Sequence, residues 1–204
     1  PNFQYFMDSP IEIAAYKTAS WEVKNPDGKT QTIHLVSHSN DEQSTIDNYA
    51  AMLKKMVTEQ MAVWGELPNF DYGNYYFLHD VLPEYAGDGM EHRNSTIIVQ
   101  RTPKIEGYEA NLLGTFSHEF FHSWNVERLR PKTLEPFNFE HSNISDELWL
   151  AEGFTQYYGN LLLTRVGYRT ADNAAQTFSG VVNTVLNSPG ALNFSPIQAS
   201  RYAV

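Results

Sequence analysis

The 204-residue sequence has no cysteine, which excludes disulfide bonds and metal sites built on thiolate ligands. It is also poor in positive charge, because 14 Lys and Arg residues stand against 24 Asp and Glu, for a formal net charge of −10. Such a chain is disfavoured as a partner of nucleic acids or of anionic membranes. No apolar run approaches the ~18–20 residues of a membrane-spanning helix. The sequence therefore predicts a globular protein with ample core and no transmembrane segment.

The centre of the chain carries the pattern H-E-x-x-H at His118, Glu119 and His122. On a helix, residues four apart lie about 40° apart around the axis and roughly 6 Å apart along it. Two imidazoles so placed can hold one metal ion, with Glu119 beside them to act on a water molecule. Apolar residues at three- and four-residue steps form a stripe on the opposite face and support the helix: Leu113, Phe116, Phe120 and Trp124. The simpler alternative is a buried helix whose histidines are satisfied by neighbouring hydrogen bonds.

A third ligand would distinguish these two interpretations, because catalytic zinc sites use three protein ligands and one open position. Glu152 lies deep inside a later predicted helix, between apolar neighbours. A carboxylate there is costly to bury unless it is paired or bound to metal. Glu147, near the start of the same helix, is explained more simply as an exposed acid that the helix dipole favours. Glu152 is therefore our prediction for the third ligand.

This set of residues predicts a reaction as well as a metal. His118, His122 and Glu152 would bind Zn²⁺ and leave one position for water. Zinc would lower the pKa of that water and polarise a carbonyl group, while Glu119 takes the proton and delivers it to the leaving amine. The expected reaction is amide hydrolysis without a covalent intermediate.

Along the chain, patterns typical of strands come first and patterns typical of helices follow. Strands are predicted at residues 11–13, 21–23, 30–36 and 75–79 and in the last part of the segment 89–99, with a turn at 25–28. Helices are predicted from about 39 to 64, within 106–125, and at 146–166 and 171–186, followed by a loop. The order indicates an α+β fold in one catalytic domain, 1–204. A β-rich subdomain with one helix, 1–105, would pack on a mostly helical subdomain, 106–204, with the active site in the cleft between them.

Polar residues outside the central motif are harder to interpret from spacing. His34 and His38 lie on or after a predicted strand without an acidic or histidine partner at ligand spacing, so we expect structural or surface roles. Gly89 can let the backbone approach a ligand closely. Glu91 and His92 follow it and, from spacing alone, are typical of a solvated strand end.

Two segments together, 118–126 and 148–155, resemble the glycyl aminopeptidase family of gluzincin metallopeptidases. These enzymes are relatives of the thermolysin-like and aminopeptidase N-like enzymes. Residues 89–95 are similar to the family's G-x-E-H-R-x-S pattern, and the likeness extends over roughly residues 8–204. The resemblance implies a thermolysin-like catalytic domain and independently implies Glu152 as the third zinc ligand. It also replaces the strand-end interpretation of Glu91 with that of an anchor for the free amine of the substrate.

The resemblance carries further expectations about the substrate and the whole protein. It implies that Gly89, Met90, Glu91 and His92 bind substrate, and that N-terminal glycine or alanine is cleaved from peptides. It implies a β-rich domain before this segment, a PDZ domain after it, and, for many members, export from a bacterial cell. The tyrosine that would stabilise the oxyanion is expected beyond the end of the chain, which suggests a catalytic-domain fragment with weak activity.

Two other functions compete with an aminopeptidase. An endopeptidase could use the same zinc site but would have no use for Glu91. A peptide-binding scaffold would have lost catalysis, although His118, Glu119, His122 and Glu152 are all present. Cleavage of Gly- or Ala-initiated peptides would favour the first function, and peptide binding without metal would favour the scaffold.

Overall fold

The computed structural model describes residues 2–203, within which one mixed sheet of five strands has the order β1-β2-β3-β5-β4. The strands are β1 Lys17–Lys24, β2 Thr30–His38, β3 Asn74–Val81, β4 Asp88–His92 and β5 Ser95–Gln100. β1 and β4 are the two edges, and each pairs antiparallel with its neighbour. β2, β3 and β5 run parallel. The strand β4 that carries Gly89 and Glu91 is therefore an edge strand.

The predicted turn at 25–28 joins β1 to β2. The Asn25 N–H donates to the Lys29 carbonyl at 2.8 Å, and the Gly28 N–H donates to the Asn25 carbonyl at 2.9 Å. Gly28 has φ of 88°, a conformation that glycine adopts without steric cost. The Asn25 side chain also bonds the backbone of Leu67, so the turn is fixed to the segment that follows the first long helix.

One face of the sheet is covered by helix α2, Gln43–Trp64, and helix α3, Glu109–Phe121. Side chains of β2 alternate between buried and half-buried, as a strand with one face on the core requires. The rings of Tyr49 on α2 and Phe77 on β3 lie 5.4 and 5.3 Å from Phe116 on α3. The apolar stripe predicted for the metal helix is thus the face that packs on the sheet.

Helix α4, Leu148–Arg165, lies against α3 and holds it from the other side. The Ser117 hydroxyl donates to the Gly159 carbonyl at 2.9 Å. A Cβ at Gly159 would lie 3.4 Å from the backbone nitrogen of His118, so a larger residue would press on α3. Gln60 of α2 donates to the Ser117 carbonyl at 2.7 Å. The segment with the H-E-x-x-H pattern is therefore held between two helices.

The remaining helices are α1 Phe3–Met7, α5 Ala171–Leu186 and α6 Pro196–Ser200, and short 3-10 turns lie at Asp71–Gly73, Lys132–Leu134 and Pro189–Leu192. No helix within residues 2–203 combines the length and apolar character that a membrane crossing requires. All five strands lie before residue 101, and α3 to α6 follow. One cluster of buried apolar residues nevertheless extends from β2 to α4. The division into subdomains 1–105 and 106–204 stays a prediction.

Two predictions near the chain ends are wrong. Residues 11–13 alternate as a strand would, but they form no strand, and Ile11 and Ile13 are largely exposed because no neighbouring strand pairs with them. The region after 187 was predicted as loop but contains α6, which begins with a capping box of Ser195 and Gln198. The Ser200 hydroxyl accepts the Trp149 N–H at 2.9 Å, so α6 packs at the start of α4.

Candidate metal centre

Helix α3 brings the two histidines of the motif to one point. His118 lies in its last turn and His122 is the residue that caps it. The stripe on the opposite face is buried in the core: Leu113, Phe116, Phe120 and Trp124. This packing fixes the rotation of α3, because turning the helix would expose those aromatic side chains. The imidazoles consequently point away from the sheet and towards α4.

Three potential ligand atoms converge between α3 and α4. His118 Nε2 lies 3.1 Å from His122 Nε2, and Glu152 Oε2 lies 3.2 Å from His118 Nε2 and 3.6 Å from His122 Nε2. In a tetrahedral zinc site with bonds of about 2.1 Å, ligand atoms lie about 3.4 Å apart. The three observed separations bracket that value, so the predicted set fits a zinc ion.

The second nitrogen of each imidazole determines which atom faces the centre. His122 Nδ1 lies 2.7 Å from the Asn125 carbonyl oxygen, which can only accept, so Nδ1 carries the hydrogen. His118 Nδ1 lies 2.9 Å from the Gln156 side-chain oxygen and donates in the same way. In the neutral imidazoles both Nε2 atoms therefore present lone pairs to each other and to a carboxylate. Three acceptors that converge in this way call for a cation.

The burial expected for Glu152 is wrong, although its position is as predicted. Its side chain keeps 48 % of its surface exposed, and the apolar neighbours Trp149, Leu150 and Phe154 are partly exposed as well. The apolar sequence context did not translate into burial, because this face of α4 is open within residues 2–203. The reach of the carboxylate to both histidines, and not its burial, singles out Glu152.

The electrostatics of the group favour positive charge between the ligands. When protonated, the imidazoles of His118 and His122 donate to Glu152 and lower the pKa of its carboxyl group. Burial acts to lower the pKa of His122, but the hydrogen bond to Glu152 and the charges of Glu91 and Glu152 outweigh it and raise that pKa. Burial raises the pKa of Glu119 to about 7, against the opposing effect of both histidines. Glu119 is thus a nearly buried carboxyl group beside a point that attracts cations.

Edge strand β4 brings two of the four predicted substrate-binding residues to the centre. Gly89 and Glu91 point to the same side, and ligand atoms of Glu91, Glu119 and His122 all lie within 4.8 Å of one another. Met90 is exposed on the other side, and His92 Nδ1 lies 3.0 Å from an Asp8 oxygen. The structure thus places the Gly89 and Glu91 side of β4 at the centre and the Met90 and His92 side chains away from it.

Gly89 lies so close to the Glu119 side chain that any residue with a Cβ at position 89 would force one of the two to shift. A Cβ at Gly89 would lie 2.2 Å from Glu119 Oε1 and 2.7 Å from its Cδ. Real Cβ atoms essentially never approach so closely. The glycine that the sequence suggested for close approach of a ligand therefore accommodates the side chain of Glu119 itself.

Sequence reasoning missed the residues that orient the ligands. Gln156 lies one helical turn after Glu152, and this i, i+4 spacing is the signal that could have found it. The Asn125 side chain donates to the carbonyls of Leu150 and Ala151 at 3.1 and 3.2 Å and so ties the end of α3 to α4. Its role depends on a contact between distant segments, which spacing along the chain does not show.

A second group of potential ligands lies on the other face of the sheet. His38 Nδ1 lies 2.9 Å from Asp80 Oδ1, and ligand atoms of Glu12, His38 and Asp80 fall within 4.8 Å of one another. The statement that His38 lacks an acidic partner is therefore wrong. The partner comes from the parallel strand β3, 42 positions away in sequence.

Comparison with known protein families gives one match. Residues 111–204 match the family model described as M61 glycyl aminopeptidase. The resemblance to the glycyl aminopeptidase family is confirmed. No curated protein sequence matches the chain significantly.

Solved structures show the same fold over most of the chain. An aminopeptidase N family protein from Idiomarina loihiensis has a TM-score of 0.72 and 25 % identity, covering 91 % of this chain and 32 % of that one. An M1 zinc metallopeptidase from Deinococcus radiodurans has a TM-score of 0.50 and 12 % identity, covering 91 % and 36 %. The predicted α+β, gluzincin-like catalytic fold is confirmed. The chain spans about one third of the length of these structures, and the flanking β-rich and PDZ domains stay predictions.

Proposed function

We propose that the protein is a zinc-dependent aminopeptidase that hydrolyses the N-terminal residue from peptides. The observation that carries this proposal is the convergence of His118 Nε2, His122 Nε2 and Glu152 Oε2, three acceptors at zinc-ligand separations. The imidazole hydrogens are directed away from this point, towards Asn125 and Gln156. A site of this composition, two histidines and one carboxylate, is typical of catalytic zinc.

Glu119 is the proposed general base. Zinc, held by His118, His122 and Glu152, would supply Lewis-acid activation of water and of the scissile carbonyl. The Glu119 carboxyl group lies beside this point and is largely shielded from solvent. A buried carboxyl group in this position can accept a proton from the attacking water and then donate it to the leaving amine.

Glu91 is the proposed feature that makes the enzyme an aminopeptidase. It projects from edge strand β4 towards Glu119 and His122, where its carboxylate can pair with the ammonium group of a substrate. The edge of β4 that does not face β5 can hydrogen-bond the backbone of an extended peptide. Both contacts would place the first peptide bond at the centre. The preference for glycine or alanine at the first position rests on the family resemblance alone.

The metal is tested by elemental analysis of reconstituted and dialysed protein. Wild type should hold about one zinc per chain, as a site with three protein ligands does. Glu152→Gln should lower that content clearly. Asp80→Asn, which removes a carboxylate from the second group of potential ligands, serves as the matched control and should keep it. A Glu152→Gln protein with undiminished zinc, or a wild type that binds none, would refute the assignment.

The reaction is tested with peptides that begin with glycine or alanine, each with a free and an acetylated N-terminus. An aminopeptidase should cleave the free peptides only, and Glu91→Ala should lower cleavage by the loss of the ammonium contact. Cleavage of acetylated peptides that Glu91→Ala leaves unchanged would identify an endopeptidase instead. Binding of peptides by zinc-free protein, with no cleavage by the zinc form, would identify a scaffold.

A further inference from the structure

A cavity of about 270 Å³ opens beside the candidate metal centre, between α3 and α4. His118 and Glu119 form its wall on the side of the centre. Gly114 and Thr115, one helical turn earlier on α3, also line it, as does Arg169. The volume suits a single side chain or a chain end rather than a large ligand.

Arg169 is the only cationic side chain among the residues that line this cavity. Its guanidinium is half-buried, and Nη1 donates to the side-chain oxygen of the buried Asn160. Within residues 2–203 no carboxylate forms an ion pair with Arg169, whereas Arg165 pairs with Glu59 at 2.6 Å. Burial therefore lowers the pKa of Arg169 without a compensating anion. A partly desolvated guanidinium of this kind has donors left to offer to an anionic ligand.

The neighbours of the guanidinium preserve this opening. Arg169 Nη2 lies 3.0 Å from the point where a Cβ at Gly114 would stand, so a side chain there would displace it. Asn160 also donates to the Gln156 carbonyl at 2.8 Å, which directs its oxygen towards Arg169. Apart from His118, Glu119 and Arg169, the side chains that line the cavity carry no ionisable group, and Glu119 faces the metal centre. The cavity is thus a preformed place for one carboxylate.

The position of the cavity relative to Glu91 defines which part of a substrate it meets. Glu91 lies on the side of His122, at the end of α3. The Arg169 cavity lies on the side of His118 and continues towards the start of α3. A peptide whose amine is held at Glu91 and whose first peptide bond lies at the centre would direct its second residue towards the cavity.

We propose that this cavity binds a substrate carboxylate on the leaving-group side of the scissile bond, through Arg169. The carboxylate belongs either to an acidic side chain at the second residue or to the C-terminus of a dipeptide. Both sources present the same planar pair of oxygens to the guanidinium fork. This inference rests on the proposed aminopeptidase function and defines its substrate class.

Four substrates separate the two sources of the carboxylate: Gly-Gln amide, Gly-Glu amide, Gly-Gln and Gly-Glu. The first has no carboxylate, the second only the side-chain one, the third only the terminal one, and the fourth both. Wild type should show a kcat/KM about 10- to 100-fold higher for at least one single-carboxylate substrate than for Gly-Gln amide, the range for a charged hydrogen-bonded contact. Arg169→Gln should abolish that preference.

Arg101→Gln is the matched control, since it removes the same charge from an exposed position outside the cavity. It should retain the wild-type preference, which separates a local contact from the effect of net charge. A wild type that cleaves all four substrates alike, or an Arg169→Gln protein that keeps the preference, would overturn the proposal.

Binding provides a readout that does not depend on hydrolysis. Calorimetry with Glu119→Gln protein should show tighter binding of the preferred acidic dipeptide than of Gly-Gln amide, and Arg169→Gln in that background should remove the difference. If no substrate is hydrolysed but the binding difference is found, the aminopeptidase function fails and the carboxylate site stands. Equal binding of all four peptides would reject the site itself.

Discussion

The contact between Gly89 and Glu119 allows the sharpest test of the candidate centre, the substitution Gly89→Ala. The new Cβ would lie 2.2 Å from Glu119 Oε1, whereas ordinary contact begins at 3.4 Å. One partner must therefore retreat by 3.4 − 2.2 = 1.2 Å. β4 is held by its pairing with β5, in which Gly89 lies opposite Ile98, and α3 is anchored in the core. The Glu119 side chain is the part that can move.

The displacement translates into an expected loss of activity. Misplacing a reacting group by about 1 Å can cost about 100-fold in rate. Removal of a general base typically costs about 100- to 10,000-fold, so the loss should lie at the lower end of that range. Gly89→Ala should therefore lower kcat for a Gly-initiated peptide about 100-fold, while zinc content stays that of wild type, because Glu119 is not among the proposed ligands. Steady-state kinetics and elemental analysis on the same samples measure both.

Gly180→Ala is the matched control. Gly180 lies inside α5, and a Cβ there meets no atom within 4 Å. The change should leave kcat unaltered and raise the free energy of unfolding by about 0.5–1 kcal/mol, as alanine does in a helix. If Gly89→Ala kept kcat within about threefold of wild type, either Glu119 would not act from its position in the structure or it would not be the base.

Three further predictions concern the framework of the site. Burial lowers the pKa of His79 to about 4, so the free energy of unfolding should fall by about 3 kcal/mol from pH 6.5 to pH 4, because the unfolded chain binds the proton at higher pH than the folded one. Urea denaturation should show that His79→Gln reduces this dependence of the free energy of unfolding on pH. His141→Gln, at an exposed position, should leave that dependence unchanged. Burial alone would raise the pKa of Asp41, but two backbone N–H groups of the loop before α3 outweigh it and lower that pKa. Asp41→Asn should therefore destabilise the protein by about 2 kcal/mol at neutral pH, and by less as the pH falls through the pKa of Asp41 in the folded state. A stability difference between variant and wild type that does not change with pH would contradict this. Asn125→Ala should lower zinc affinity about 10- to 100-fold in chelator competition, because the segment at the end of α3 loses the side-chain bonds that tie it to α4. Unchanged affinity would show that the other contacts between α3 and α4 suffice.

The features predicted correctly from sequence are those that repeat locally. A helix is predicted at 171–186, and the structure has α5 at Ala171–Leu186 with Thr170 as its N-cap. The buried stripe of α3 was likewise visible in the spacing of its aromatic residues. Residues four apart on a helix must share a face, so the pairing of His118 with His122 followed from geometry alone.

Features that depend on contacts between distant segments could not be predicted in this way. The burial of Glu152 was inferred from apolar neighbours in sequence, but exposure depends on what packs against α4. His38 has no acidic partner at ligand spacing in the sequence, because Asp80 comes next to it only through the parallel pairing of β2 and β3. Spacing along the chain gives no signal for Arg169, because the cavity that it lines is formed with residues of α3 and α4.

Glycines around the centre show the same limit of sequence reasoning. Gly28 and Gly65 have positive φ and belong to a turn and a helix end, as sequence rules anticipate. Gly89, Gly114 and Gly159 have ordinary backbone conformations, yet each is a point where a Cβ would meet Glu119, Arg169 or His118. A glycine required by space and a glycine required by φ look alike in a sequence. At the centre, β4, α3 and α4 therefore lie closer together than they could if these three glycines carried side chains. This proximity brings the proposed base, the proposed ligands and the Arg169 guanidinium together.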